Sequence, residues 1–202
     1  EALFFEEKDG FKAYKRQLYF YRLFIKNKYP IVVEEGRRWF HFKQNGDVYA
    51  KGAWILHSLR MQINDDFVFF DIIKTFADRN KYKIVESKDF IELVNEKTNS
   101  DYNWFFNHYL YNNESPTLSY TVSTDGVLFY KWSNTDPDFN KLKLKLKSQN
   151  QAIIITPTNK IQTLSLPKTK YGGWNYRFLE EVLFAFEKDK SLITKYNKLK
   201  KN

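Results

Sequence analysis

The sequence predicts an α+β protein in which a helical first part is followed by a small β-sandwich and a C-terminal helix. Apolar residues recur at helical spacing through the first 113 residues, and after that they alternate with polar residues, as in strands. With 202 residues and 43% apolar content, the chain is long enough to bury a hydrophobic core. We therefore divide it into a helical part (1–113), a β-sandwich-like module (114–170), and a C-terminal helix with a basic tail (171–202).

The first predicted helix lies between Gly10 and Pro30, because glycine and proline commonly bound helices. Its apolar positions are Tyr14, Leu18, Tyr21 and Ile25. The residues from 31 to 46 show no regular period, which predicts a loop.

The second predicted helix begins at Asp47, whose side chain is placed to cap it, and carries Tyr49 in its first turn. Its apolar stripe consists of Val48, Ile55, Leu56, Leu59 and Ile63.

A further helix is predicted to begin at residues 64–66, where acidic side chains complement the helix dipole. Its buried positions are Phe69, Ile72, Ile73 and Phe76. Two shorter helices are predicted to open near Ser87 and Ser100.

Five strands are predicted in the β-module, and helix-like spacing is predicted from Phe178 to Leu199. The strands are Thr117 to Ser123, Val127 to Ser133, Lys141 to Lys147, Gln151 to Thr156 and Ile161 to Leu166. The third alternates lysine with leucine, which indicates leucines inward and a solvated lysine face, with the lysines also protecting a sheet edge.

The formal charge of +9 is concentrated in the last third of the chain. From Lys141 to the end there are 14 basic and 4 acidic residues. Such clustering is typical of a surface that binds nucleic acid or membrane, but it also occurs where lysine side chains are only solvated. With no other nucleic-acid signal in the sequence, we expect no nucleic-acid partner.

Cysteine is absent and apolar runs are short. The absence of cysteine excludes disulfides, thiolate metal sites and cysteine nucleophiles. No run reaches the roughly 18 to 20 apolar residues that a membrane-spanning helix needs, so we expect no transmembrane segment. The cellular compartment stays open between periplasm or cell envelope and cytoplasm.

The segment Tyr49-Ala50-Lys51-Gly52-Ala53, followed by an amphipathic helix, resembles the catalytic-tyrosine segment of the aminopeptidase N family of zinc metallopeptidases, the gluzincin aminopeptidases. The resemblance continues in the same order through residues 63–67, 87–94, 101–110 and 115–120. It departs from the family mildly, at Asn64 and at residues 107–109.

This resemblance implies that the helical part is the lower half of a thermolysin-like catalytic domain, followed by the family's β-domain. It also implies that Tyr49 donates a hydrogen bond to the oxyanion formed when water attacks the peptide carbonyl. A phenol suits this role because it stays protonated at neutral pH. The loop over residues 31–46 would then lie over the catalytic cleft, and the parent protein would bind a peptide substrate.

The zinc-binding half of such a site is absent from this sequence. The family needs His-Glu-x-x-His on one helix, but His41, His57 and His108 each lack a second histidine within four residues. The family's Asn-Glu-Gly glutamate segment is also missing, and residues 1–7 resemble the run that follows it. We therefore expect a piece of a longer zinc enzyme, with an N-terminal catalytic segment as its partner.

Within this chain we assign no metal or cofactor ligands, and we expect the isolated chain to be inactive. The alternative is a non-catalytic binding module that kept the scaffold and acts through its β-domain or basic tail. We interpret His57 and His108 as packing or surface residues. Ser58 is adjacent to His57, but neighbouring positions on a helix point apart, so we do not expect the two to form a nucleophile and base pair.

Overall fold

A computed structural model of the chain describes residues 1–33, 46–149, 151–170 and 173–201, and it has the mixed α+β fold that the sequence predicts. The chain divides into two compact units, Glu1–Glu114 and Ser115–Asn202, which we call the helical unit and the strand unit. The interpretation of residues 31–46 as a loop over a cleft concerns positions 34–45, which lie outside the described residues.

The described part of the helical unit contains six helices. They are α1 (Ala2–Asp9), α2 (Phe11–Arg22), α3 (Asp47–Ile63), α4 (Asp66–Arg79), α5 (Ser87–Thr98) and α6 (Asn103–Tyr111). The predicted helix between Gly10 and Pro30 is α2, but it ends at Arg22, so Ile25 lies beyond it. Tyr14 and Leu18 are buried as expected.

The junction between α3 and α4 follows from two consecutive residues. Asn64 has φ of 54°, the left-handed conformation that asparagine tolerates better than most residues and that commonly ends helices. The side chain of Asp65 then accepts a hydrogen bond from the backbone N–H of Val68, which caps α4. The predicted helix start at residues 64–66 is therefore confirmed.

The strand unit contains seven described strands and a terminal helix. They are β1 (Thr117–Val122), β2 (Val127–Trp132), β3 (Leu144–Ser148), β4 (Gln151–Ile155), β5 (Gln162–Ser165), β6 (Tyr176–Leu179), β7 (Ala185–Lys188) and α7 (Ser191–Leu199). The first five strands confirm the predicted ones with bounds shifted by up to three residues. The helix-like spacing predicted from Phe178 is wrong as far as residue 188, because β6 and β7 occupy that segment and only α7 is helical.

The strands form a four-stranded sheet, ordered β5-β2-β1-β7, and a three-stranded sheet, ordered β4-β3-β6. The pairs are antiparallel except β1 with β7, which is parallel. The ring centroids of Tyr120 on β1 and Phe178 on β6 lie 5.0 Å apart, so side chains of the two sheets touch. The β-sandwich arrangement itself stays a prediction.

The β1–β2 turn requires a glycine at Gly126. Its φ is 85°, and a Cβ atom there would come within 2.3 Å of the Trp174 ring. The N–H of Gly126 donates to the carbonyl of Ser123 at 3.0 Å and closes the turn.

The lysine-leucine segment is a central strand. Leu142, Leu144 and Leu146 are fully buried, which confirms the predicted inward face. The idea that the lysines protect a sheet edge is wrong, because β3 pairs with β4 on one side and with β6 on the other.

Candidate functional site

Tyr49 lies in the first turn of α3 and is 68% exposed. The residue before the helix is Gly46, so the predicted capping role of Asp47 is wrong. Asp47 is instead buried, and its two carboxylate oxygens accept hydrogen bonds from the backbone N–H groups of Lys26 (2.8 Å) and Asn27 (2.7 Å). The carboxylate therefore ties the start of α3 to the segment that follows α2.

Lys51, two residues after Tyr49, is a second anchor at the same end of the helix. Its side chain is buried, and Nζ donates to the carbonyl oxygens of Asn113 (2.6 Å) and Asn112 (3.3 Å). Burial lowers the pKa of Lys51 to about 8, although the negative charges of Asp47 and Glu114 oppose that shift. The tyrosine thus lies between two side chains that fix the backbone on either side of it.

The far end of α3 is held by Arg60, whose guanidinium is almost fully buried. It donates two hydrogen bonds to the Asp66 carboxylate, both at 2.7 Å, and two to the Glu6 carboxylate, at 2.6 and 2.9 Å. These hydrogen bonds raise the pKa of Arg60, and the hydrogen bond from Arg60 holds the pKa of Asp66 below its usual range. The Phe70 and Tyr14 rings also face the guanidinium, at 4.9 and 5.3 Å. Arg60 therefore joins α1, α2, α3 and the start of α4.

Between the two ends, α3 packs against α2 through polar as well as apolar contacts. The indole Nε1 of Trp54 donates to the carbonyl of Leu18 at 2.6 Å. The Tyr14 hydroxyl and Nδ1 of His57 are 2.9 Å apart. Burial, with the nearby charges of Lys15 and Arg60, lowers the pKa of His57 to about 4, and burial raises the pKa of Tyr14 to about 12. His57 is thus a neutral packing residue, as the sequence indicated.

An apolar groove with a volume of about 600 Å³ lies beside Tyr49. Its walls come from α3, α4, α5, α6 and the residues before α5, and they include Tyr49, Gly52, Leu56, Phe76, Val85 and Phe90. A Cβ atom added to Gly52 would have no atom within 4 Å, so the small residue one turn after Tyr49 leaves the groove open next to the phenol. The groove is large enough to receive an apolar side chain.

The described residues do not fit a zinc site. No group of three or more His, Asp, Glu or Cys side chains in these residues is arranged to hold a metal ion. His57 is engaged with Tyr14, and a hydrogen bond joins Nδ1 of His108 to the Asn112 amide at 3.2 Å. His41 lies outside the described residues. The expectation of zinc in the parent stays a prediction.

The sequence indicates Tyr49 but not the side chains that anchor its helix, which are Asp47, Lys51 and Arg60. Lys51 belongs to the segment Tyr49–Ala53 and lies one helical turn before Ile55, which is in the apolar stripe. That spacing is the signal in the sequence that Lys51 is buried. Nothing in the sequence indicates the pairing of Arg60 with Glu6, because the two residues are 54 positions apart.

Known proteins resemble this chain in structure, whereas comparisons of its sequence with family models and curated proteins find no match. Among solved structures, the chain is similar to Legionella pneumophila aminopeptidase A in complex with aspartic acid, at 17% identity and a TM-score of 0.50. The match covers 90% of this chain and 20% of that one, so this chain spans about a fifth of that aminopeptidase. This likeness shows a fold similar to that of part of a peptidase.

Among the residues that the structure describes, no helix is long and apolar enough to cross a membrane.

Proposed function

We propose that this chain is part of a zinc-dependent metalloaminopeptidase of the aminopeptidase N type, in which Tyr49 stabilises the transition state of peptide hydrolysis. The observation that carries the proposal is the position of Tyr49. It projects from the first turn of a helix that is anchored at both ends, beside an open groove, on a scaffold similar to part of an aminopeptidase.

The chemistry proposed for Tyr49 is hydrogen-bond donation to an oxyanion. When water adds to a peptide carbonyl, the oxygen gains negative charge, and a fixed O–H donor stabilises that charge more than it stabilises the neutral substrate. Donation is effective only if the hydroxyl is held in place, which the anchoring of α3 by Asp47 and Lys51 supports. The adjacent groove suits an apolar side chain of the bound peptide.

In this proposal the metal is held by residues that this chain does not contain. Its sequence lacks His-Glu-x-x-His, and its described residues hold no suitable ligand cluster. The role of this chain is therefore confined to the tyrosine, the groove and the scaffold beneath them.

The surface of α1 and α2 supports the idea that the helical unit packs against further protein. Large apolar side chains are exposed on these helices and in the two residues after α2, namely Phe4, Phe20, Leu23 and Phe24. The rings of Phe20 and Phe24 lie 5.0 Å apart, and an exposed apolar patch is typical of a face that is covered in the complete protein.

The test is turnover by the full-length parent on a panel of aminoacyl substrates, with and without chelator. We expect turnover to need metal and Tyr49→Phe to lower kcat/KM by on the order of a hundredfold or more, since one oxyanion donor contributes about that much. Tyr82→Phe is the matched control, because Tyr82 is fully exposed and lies outside the groove, and we expect it to leave kcat/KM unchanged.

Two results would contradict the proposal. A silent Tyr49→Phe variant in a metal-dependent parent would remove the donor role. An inert parent would favour a binding module on the same scaffold. For the isolated chain we expect no turnover, and chelator-sensitive turnover by it would show that our account of the missing metal site is wrong.

A further inference from the structure

The outer face of the three-stranded sheet combines positive charge with exposed apolar side chains. Burial along β3 alternates strictly, so its lysines point away from the buried leucines. In register with them are the outward positions of β4 and β6. We call this surface the basic sheet face, and it comprises Lys145, Lys147, Ala152, Ile154, Arg177 and Leu179.

Two cations on this face are direct cross-strand neighbours. Lys147 on β3 is paired in register with Arg177 on β6. Like charges directly opposite each other on adjacent strands destabilise a sheet. Leu144 and Leu146 fix which side of β3 faces the core, but they do not require two cations on the other side.

Among the described residues, one cation of the basic sheet face is paired with an acidic side chain. Lys145 pairs with Glu181 at 2.8 Å. Within the described ranges, neither Lys147 nor Arg177 makes an ion pair, and both are exposed. Adjacent strands are about 4.8 Å apart, well inside the screening length of about 8 Å at physiological salt, so the two charges act on an approaching anion together.

The apolar members of the face indicate which kind of anion it fits. Ile154 is 60% exposed and lies opposite Lys145, and Leu179 lies opposite the same lysine on the other side. None of the six side chains is aromatic, so bases of single-stranded nucleic acid would find no ring to stack on. Apolar groups beside cations instead match the boundary between lipid headgroups and acyl chains, where lysine stems lie along apolar surface and their amines reach phosphate.

We propose that the basic sheet face docks the strand unit onto an anionic lipid bilayer, with Lys147 and Arg177 contacting headgroup phosphates and Ile154 entering the interface. This gives a role to part of the excess positive charge of the last third of the chain, namely the cations of the basic sheet face, which the proposed peptidase function leaves without one. It does not depend on that function.

The test is co-sedimentation of the chain with vesicles of phosphatidylglycerol and phosphatidylcholine, compared with phosphatidylcholine alone, at physiological salt. We expect binding to the anionic vesicles only. The double variant Lys147→Gln/Arg177→Gln should bind at least about tenfold more weakly, because each basic residue at an anionic surface contributes a factor of about five. Ile154→Gln should also weaken binding. Because this loss is apolar in origin, the ratio of the two affinities, unmodified chain to variant, should stay the same when salt is added.

The charge-matched control is Lys198→Gln/Lys201→Gln. These exposed lysines belong to α7 and the residues after it, and α7 contacts β1 and β2 of the other sheet. We expect the control to bind within about threefold of the unmodified chain, since it keeps the face intact.

Thermal unfolding of the same variants checks that they fold. Removing the like-charged pair should leave Tm unchanged or raise it slightly. The proposal is overturned if anionic vesicles are not bound, if both double variants lose affinity equally, or if Ile154→Gln has no effect. Tighter binding to duplex DNA than to vesicles, with the same dependence on Lys147 and Arg177, would also overturn it in favour of a nucleic-acid surface.

Discussion

The helical unit buries several charged side chains, whereas the strand unit keeps its charged side chains exposed or half-buried. Among the described residues, every buried Asp, Lys, His or Arg side chain lies in the helical unit, and four of the five are on α3, namely Asp47, Lys51, His57 and Arg60. The strand unit buries only serine and threonine among its polar residues and keeps its lysines on the surface. Buried polar contacts thus hold the helix that carries Tyr49. The sheets are instead held by strands in which buried apolar residues alternate with exposed polar ones.

The buried polar contacts of α3 affect how precisely the helix is positioned more than how stable its unit is. The hydrophobic effect is non-directional, so burial by itself sets few specific distances and angles. Hydrogen bonds from Lys51 and Arg60 have defined lengths and angles, and each becomes costly if it is broken inside the protein. In the proposed function α3 has to hold the Tyr49 hydroxyl in position, and such constraints favour that role.

The largest effect expected from this comparison is that of Arg60→Ala. The substitution leaves the carboxylates of Glu6 and Asp66 without their partner and removes a guanidinium that faces several aromatic rings. The Arg60 side chain is 3% exposed, but the Glu6 and Asp66 side chains are 22% and 62% exposed, so water can solvate both carboxylates in the variant. The loss of four charge-assisted hydrogen bonds and of the buried side chain's packing should still lower unfolding free energy by about 4 kcal/mol in urea denaturation.

The matched control is Arg79→Ala. Arg79 makes the same two-pronged contact with Glu96, at 2.8 Å for both hydrogen bonds, but both side chains are exposed. An exposed pair contributes about 0 to 1 kcal/mol. Equal losses for the two variants would show that burial of Arg60 does not matter.

In the strand unit the expected order is reversed, with the apolar residue more important than its charged neighbour. Leu146 is fully buried, so Leu146→Ala should lower unfolding free energy by about 3 kcal/mol through lost burial and a cavity. Lys147→Ala, one residue further along the same strand, should change it by less than about 0.5 kcal/mol. Chemical denaturation of both variants measures the contrast, and a comparable loss for Lys147→Ala would refute it.

A smaller effect is expected from His57 in mild acid. Burial lowers its folded-state pKa to about 4, while in the unfolded chain it titrates near 6.5. Below about pH 6.5 the unfolded state binds a proton that the folded state does not, so stability falls as pH drops toward 4. Between pH 7 and pH 5 the loss from this group is about 2 kcal/mol.

Denaturation at several pH values tests this assignment. His57→Phe should remove that part of the acid sensitivity. Equal acid profiles for the unmodified chain and His57→Phe would contradict the assignment.

Local patterns in the sequence predicted the fold class, the first five strands and the start of α4. Period-two alternation at β3 and the run Asn64-Asp65-Asp66 act over a few residues, and such signals survive in the folded protein. The role of Asp47 was missed because its partners, the N–H groups of Lys26 and Asn27, lie 20 or more positions away. The segment from Phe178 was misread because pairing with β3 and β1 overrode its helical spacing.

The candidate site shows the same limit. The motif around Tyr49 could be recognised from sequence, since it spans five adjacent residues. The groove beside it could not, because its walls bring Leu56 of α3, Phe76 of α4 and Phe90 of α5 together through tertiary packing. The contacts that anchor α3 are equally non-local.

The smaller of the two pH effects concerns Lys51, an anchor next to Tyr49. Burial lowers its folded-state pKa to about 8, against 10.5 when solvated. Between these values the unfolded chain holds a proton that the folded chain has released, so this group makes the protein more stable as pH rises. From pH 7 to pH 9 the gain is about 1 kcal/mol, and it should vanish in Lys51→Met. Denaturation at the two pH values measures it, with Lys97→Met as the control, because Lys97 bonds Asp71 in a less buried pair. A gain that persists in Lys51→Met would mean that another group titrates over this range and that Lys51 is not held in a buried site, which would leave Asp47 and Arg60 as the anchors of α3.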